Sequence, residues 1–111
     1  MKRGAVWTVS GGADYAGKPR PAVIVQDDRF PTSKSITICA FTTDITEASI
    51  FRVYVKPTPI NGLERPSRLM ADKVSTVPRT KLGKRIGRLT EADLKRLNRA
   101  IVLFLGLSER R

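Results

Sequence analysis

Apolar and polar positions alternate along the first three-quarters of this chain, and the period changes only near its C-terminus. Ala5-Val6-Trp7-Thr8-Val9 is a β-rich run closed by the turn signal Ser10-Gly11-Gly12. A Gly-rich loop follows from Gly11 to Pro19, and Pro21-Ala22-Val23-Ile24-Val25 then forms a continuous apolar run, which suits a strand buried on both faces. From Ser35 to Phe41, Ile36, Ile38 and Ala40 alternate with Thr37 and Cys39. Phe51, Val53 and Val55 alternate with Arg52 and Tyr54 in a fourth strand. Pro57 to Pro66 contains three prolines and Asn61-Gly62, so it predicts a loop. Arg68 to Val77 returns to extended character, and Lys84 to Leu89 makes a last short strand.

The helical period appears only after that. Thr90-Glu91-Ala92-Asp93 has the form of a capping box, with Thr90 as N-cap and an acid three residues on. Leu94, Leu97, Ile101, Phe104 and Leu105 fall on one helical face, with Lys95, Arg96 and Arg99 outside it and Gly106 as a stop signal. Such a stripe is read first as core packing, with a partner groove as the alternative. Strands this short and numerous fit a small antiparallel sheet or β-barrel closed by a C-terminal helix, not a parallel α/β fold. The predicted class is mainly β with a C-terminal helix. Residues 1–111 read as one domain, without repeats or low-complexity tracts.

Charge changes this picture from fold to partner. Twenty-one Lys and Arg against ten Asp and Glu give a net charge of +11, a field that captures polyanions and whose effect falls with salt. RNA or DNA leads as partner; an anionic membrane and an acidic protein follow, and a generically basic soluble protein is the plain alternative. From Pro78 to Arg111 there are ten Lys or Arg and three Asp or Glu, so +7 of the charge lies there.

Several chemistries are excluded by residue type. There is no His, which removes imidazole catalysis and imidazole metal ligation. One cysteine, Cys39, allows neither an internal disulfide nor a Cys-cluster metal site, and its apolar surroundings make it a small core residue before a nucleophile. No apolar run reaches the length of a signal peptide core or a membrane span, so the expectation is a cytoplasmic protein with no metal and no cofactor.

The remaining chemistry rests on Arg, Lys, Asp, Ser and Thr at strand ends. In Gly17-Lys18-Pro19-Arg20-Pro21 the two prolines stiffen the backbone on both sides of Arg20. A guanidinium offers a planar donor fork suited to phosphate, although the local sequence by itself favours an arginine at a strand start making a surface ion pair. Phe41-Thr42-Thr43-Asp44 places paired hydroxyls where a strand ends, able to meet a phosphate oxygen or to stabilise a turn. Asp72 interrupts Leu69-Met70-Ala71 and is a candidate general base or an ion-pair partner.

Taken in order, these fragments resemble the MazF/PemK toxins. Arg3-Gly4-Ala5-Val6-Trp7, then Gly17-Lys18-Pro19-Arg20-Pro21 leading into an apolar strand, looks like the family's opening. Thr42-Thr43 resembles its second motif; Asn61-Gly62-Leu63, Pro66-Ser67 and Met70-Ala71-Asp72-Lys73 resemble the third; and Leu82 to Leu89 with the closing helix resembles its C-terminal end. The resemblance covers nearly the whole chain. It implies a small SH3-like β-barrel of the CcdB/MazF type closed by a C-terminal helix, a homodimer, a cognate antitoxin, and metal-independent, sequence-specific cleavage of single-stranded RNA.

By the same resemblance the catalytic candidates are Arg20, Thr42 and Asp72, with Gly17, Lys18 and Thr43 as substrate contacts. Some family members pair an Arg with the Asp on a later strand, but Met70 stands at that Arg's position here; Arg68, two residues earlier, shares its side of the strand. This favours an Arg20/Thr42 mechanism over one centred on Asp72. RNA brings its own 2′-OH nucleophile, so the protein must align the phosphodiester and stabilise charge on its oxygens, leaving a 2′,3′-cyclic phosphate and a 5′-OH. A gyrase-inhibiting toxin on the same fold and a non-catalytic SH3-like nucleic-acid-binding module are the competing readings.

Overall fold

The computed structural model describes residues 2–10, 18–30 and 34–107. The apolar alternation folds into six strands: β1 (Ala5–Val9), β2 (Arg20–Ile24), β3 (Ser35–Thr42), β4 (Arg52–Val55), β5 (Ser67–Pro78) and β6 (Leu82–Arg88). One helix follows, α1 (Glu91–Phe104), and a 3-10 turn over Arg79–Lys81 links β5 to β6. All pairings are antiparallel, in the order β4-β5-β3-β2-β1-β6. The expected mainly-β class with a C-terminal helix is therefore observed. Among the described residues β4 and β6 remain the two edges of one sheet, so the ladder curls without closing into a full barrel.

Two irregularities curl it. On β3 the pairing steps from Cys39↔Val74 to Phe41↔Leu69, which leaves extra residues on β5 and bends that long strand. The β1–β6 ladder slips after Val6 and again after Trp7. The central strands are buried on both faces, as the unbroken apolar run of β2 requires: Ala22, Val23 and Ile24 are all within 1% of full burial. Val6, Val23, Cys39, Leu69 and Leu97 belong to one core, on the side of α1. Ala5, Val9, Ala22, Ile24, Ile36 and Ile38 form a second core on the opposite face.

The helix is capped as its sequence predicts. Thr90 Oγ1 accepts from the Asp93 amide, and Glu91 and Asp93 lie in the positive first turn. At the other end Gly106 takes φ +69°, with Gly106 N donating to Leu103 O and Leu107 N to Val102 O, a Schellman closure. The apolar stripe needs a correction. Leu97 is fully buried and Leu94 and Ile101 are half-buried against the core, but Phe104 and Leu105 are 45% and 53% exposed. The Phe51 ring packs on this last helical turn, 5.1 Å from that of Phe104.

The loop between β4 and β5 is built around buried Asn61. Its Oδ1 accepts from the Thr58 and Leu63 amides, and its Nδ2 donates to Lys56 O. Gly62 and Gly87 let this loop touch β6: a Cβ on Gly62 would stand 2.0 Å from Ile86 O, and one on Gly87 2.4 Å from Ile60 O. This contact sets one wall of the cleft described next.

Candidate active site

Arg20 opens β2, where Pro19 and Pro21 end the preceding loop and admit the strand. Its strand partner on β1 is Val9. On the other side the β2–β3 ladder is paired from Ile24↔Ile38 to Ala22↔Ala40. Continued by two residues, that register sets Arg20 opposite Thr42. Thr42 in turn pairs with Arg68 on β5, and Arg68 with Tyr54 on β4. Residues directly opposed across antiparallel strands share a face. Thr42, Arg68 and Tyr54 therefore form one row across three strands, on the face turned away from the α1 core, and Arg20 lies on that same face at the start of β2. All four are half-buried.

The hydroxyl pair divides between the two faces. Thr42 Oγ1 accepts from the Asp44 amide at 3.2 Å, so it also holds the turn that ends β3. Thr43 is exposed and turns to the other side, where it lines a cleft of about 240 Å³ with Pro19, Pro21, Glu64 and Arg65. Arg20 lines a second cleft, of about 210 Å³, floored by Ala22, Ile38 and Ala40 and flanked by Lys81. Lys18 is exposed just before β2. Gly17 lies outside the described residues.

Asp72 is placed on the outer face of β5 with Arg68 and Met70, as the alternation predicts. Its carboxylate goes to Arg52: Nε donates to Oδ1 at 2.7 Å and Nη2 to Oδ2 at 2.9 Å. Both side chains are nearly buried, 11% and 15% exposed, and Glu47 approaches Arg52 Nη1 at 3.5 Å. The hydrogen bonds from Arg52 lower the Asp72 pKa, and those same bonds raise that of Arg52. A carboxylate so held is a weak base, and of the two roles open to Asp72 the geometry realises the ion pair. Arg68, on the same face, turns instead to main-chain carbonyls.

Cys39 is fully buried, and desolvation pushes its thiol pKa up to about 12. It is a core residue. Among the described residues no three Asp, Glu or Cys groups gather as a metal site.

Residues 2–105 match the family model of the PemK-like, MazF-like toxins of type II toxin–antitoxin systems. The chain belongs to this family. The toxin is 48% identical over 108 residues to a probable endoribonuclease MazF of Mycolicibacterium smegmatis, covering 97% of this chain and 99% of that one. Among solved structures it is similar to the Mycobacterium tuberculosis toxin MazF-mt6, with a TM-score of 0.79, 26% identity, and coverage of 95% and 99%. A mycobacterial endoribonuclease in complex with its cognate antitoxin shares the fold at a TM-score of 0.77 and 23% identity, over 99% and 97% of the two chains.

Two features of this toxin's site were out of reach of sequence reasoning. Arg52 as the partner of Asp72 depends on the β4–β5 register, which sets Arg52 against Met70, one step from Asp72. Period two does put Arg52 on the outer face, but nothing local says which strand lies beside it. The Arg68–Tyr54 pairing was hidden for the same reason.

Proposed function

We propose that this toxin is a metal-independent, sequence-specific endoribonuclease acting on single-stranded RNA, mRNA above all. Arg20 neutralises charge on the non-bridging oxygens of the scissile phosphate, and Thr42 hydrogen-bonds a phosphate oxygen or orients the 2′-OH. Attack by that hydroxyl leaves a 2′,3′-cyclic phosphate and a 5′-OH end, and the protein supplies alignment and charge stabilisation, not a nucleophile. The observation that carries this reading is that Arg20 and Thr42 lie on one face at the ends of neighbouring strands. A guanidinium offers donors and a permanent charge, which also favours the electrostatic role. Asp72 contributes by holding Arg52 on the same face of the sheet. Lys18, exposed just before β2, and Thr43 are substrate contacts, with Gly17 as a third.

The family supplies the partner class. A cognate antitoxin with an acidic, flexible segment fits the +11 charge and folds on binding. A second copy of the chain fits the apolar end of α1, where Leu103, Phe104, Leu105 and Leu107 are exposed. The toxin acts in the cytoplasm, where mRNA is; none of its described helices is long and apolar enough to cross a membrane.

The test is incubation of the purified toxin with defined single-stranded RNAs in EDTA, with the ends mapped. Cleavage to cyclic phosphate ends is expected, and Arg20→Ala is expected to lower it at least a hundredfold, about the contribution of one electrostatic donor, while leaving the circular dichroism spectrum unchanged. Loss of wild-type cleavage in EDTA would overturn the metal-free mechanism; intact RNA under every condition would return the choice to a gyrase inhibitor or a binding module.

A further inference from the structure

Arg68 is held on the site face by main chain and an aromatic ring. Its Nε donates to Ile45 O at 3.0 Å and its Nη1 to Arg52 O at 3.1 Å, and its guanidinium carbon lies 5.4 Å from the centroid of the Tyr54 ring. Two carbonyls from different segments and an aromatic face thus orient the planar fork before any ligand arrives. Arg52, its neighbour, is neutralised by Asp72 and Glu47. Arg68 is not: among the described residues no carboxylate forms an ion pair with it. A half-buried, pre-oriented and uncompensated cation beside a row of candidate catalytic groups is a site built for an anion.

Its distance from Arg20 says which anion. β2 and β5 flank β3, so the two arginines stand on either side of Thr42, two strand spacings or about 10 Å apart at the backbone. They bracket the reacting position from opposite sides, as two contacts along a strand with one charge per nucleotide would. We propose that Arg68 holds the phosphate next to the scissile one while Arg20 holds the scissile phosphate itself. This rests on the endoribonuclease reading above. It makes Arg68 a substrate-binding residue that fixes the strand's register in the site.

The test uses a cleavable RNA and its analogue carrying a single 2′-deoxy residue at the cut position, which binds without reacting. Arg68→Gln, which keeps a donor for Ile45 O, is expected to weaken binding of the analogue about tenfold, the worth of one charge-assisted contact, with kcat changed less than about threefold. Arg68→Lys is expected to restore the salt dependence of binding but only part of the affinity, because it keeps the charge and loses the fork. A neutral methylphosphonate placed at each linkage in turn is expected to cost wild type about tenfold at one linkage adjacent to the cut. The same substitution is expected to cost Arg68→Gln nothing further.

Unchanged affinity in Arg68→Gln, or a collapse of kcat with affinity intact, overturns the assignment. So does a methylphosphonate scan with no sensitive neighbour, which decides the matter on wild type even where the variant fails to fold. Failure of wild type to cut the all-ribose strand sinks the endoribonuclease reading instead; cleavage with an insensitive scan sinks only the role of Arg68.

Discussion

At the scale of single residues, the Arg52–Asp72 pair has the most definite physical consequence. The folded-state pKa of Asp72 lies below its ordinary value because Arg52 donates to both carboxylate oxygens. As pH falls, the unfolded chain therefore takes up this proton first. The stabilisation is complete above the ordinary carboxylate pKa of about 3.9 and is lost as pH drops through the depressed value. Asp72→Asn should cost on the order of 1–2 kcal/mol at neutral pH, since it leaves the Arg52 cation with only the longer contact to Glu47. The gap between wild type and variant should narrow below about pH 4, as wild-type Asp72 itself becomes neutral. Urea midpoints across this range check it, and a gap that widens on acidification would refute the pairing.

The helix shows how a local element and its surroundings divide the work. Its start is a local matter: Thr90 Oγ1 accepts from the Asp93 amide at 3.2 Å. Thr90→Ala should cost about 1 kcal/mol of stability with RNA binding unaffected, and paired denaturation and binding curves read both quantities. Its stop is also local, since Gly106 alone provides the left-handed conformation that the Schellman closure needs. What the element cannot specify is how much of its apolar face finds cover. Leu97 is fully buried in the core, whereas Leu103 and Leu107 stay 49% and 67% exposed. The periodicity of Leu94, Leu97, Ile101, Phe104 and Leu105 was legible as a stripe, but the length of the surface beneath it was not.

For the whole molecule the governing quantity is charge. Lys84, Arg85 and Arg88 are exposed on β6, and Lys2, Arg3, Arg85 and Arg88 surround a further cleft beside the start of α1. Binding of a non-cleavable single-stranded RNA should therefore weaken linearly in log–log terms as salt rises. Contact with about three phosphates predicts a loss of about twentyfold between about 50 and 200 mM. Fluorescence anisotropy over a salt series measures the slope, and a flat line would exclude phosphate contacts as the source of affinity.

The alternation of Val6, Val23, Ile36 and Ile38, the stiff Pro19-Arg20-Pro21 junction and the Thr90 cap are properties of neighbouring residues. They determined the strands, the helix and the family resemblance without any knowledge of what lies across the sheet. Period two even set Arg68 and Asp72 on one side of their strand. Which of them stand together was decided by the tertiary structure alone. Strand register is a relation between segments far apart in sequence, set by burying both faces of β2 and by the slip between β3 and β5. That register brings Thr42 beside Arg68, continues toward Arg20, and gives the carboxylate of Asp72 to Arg52.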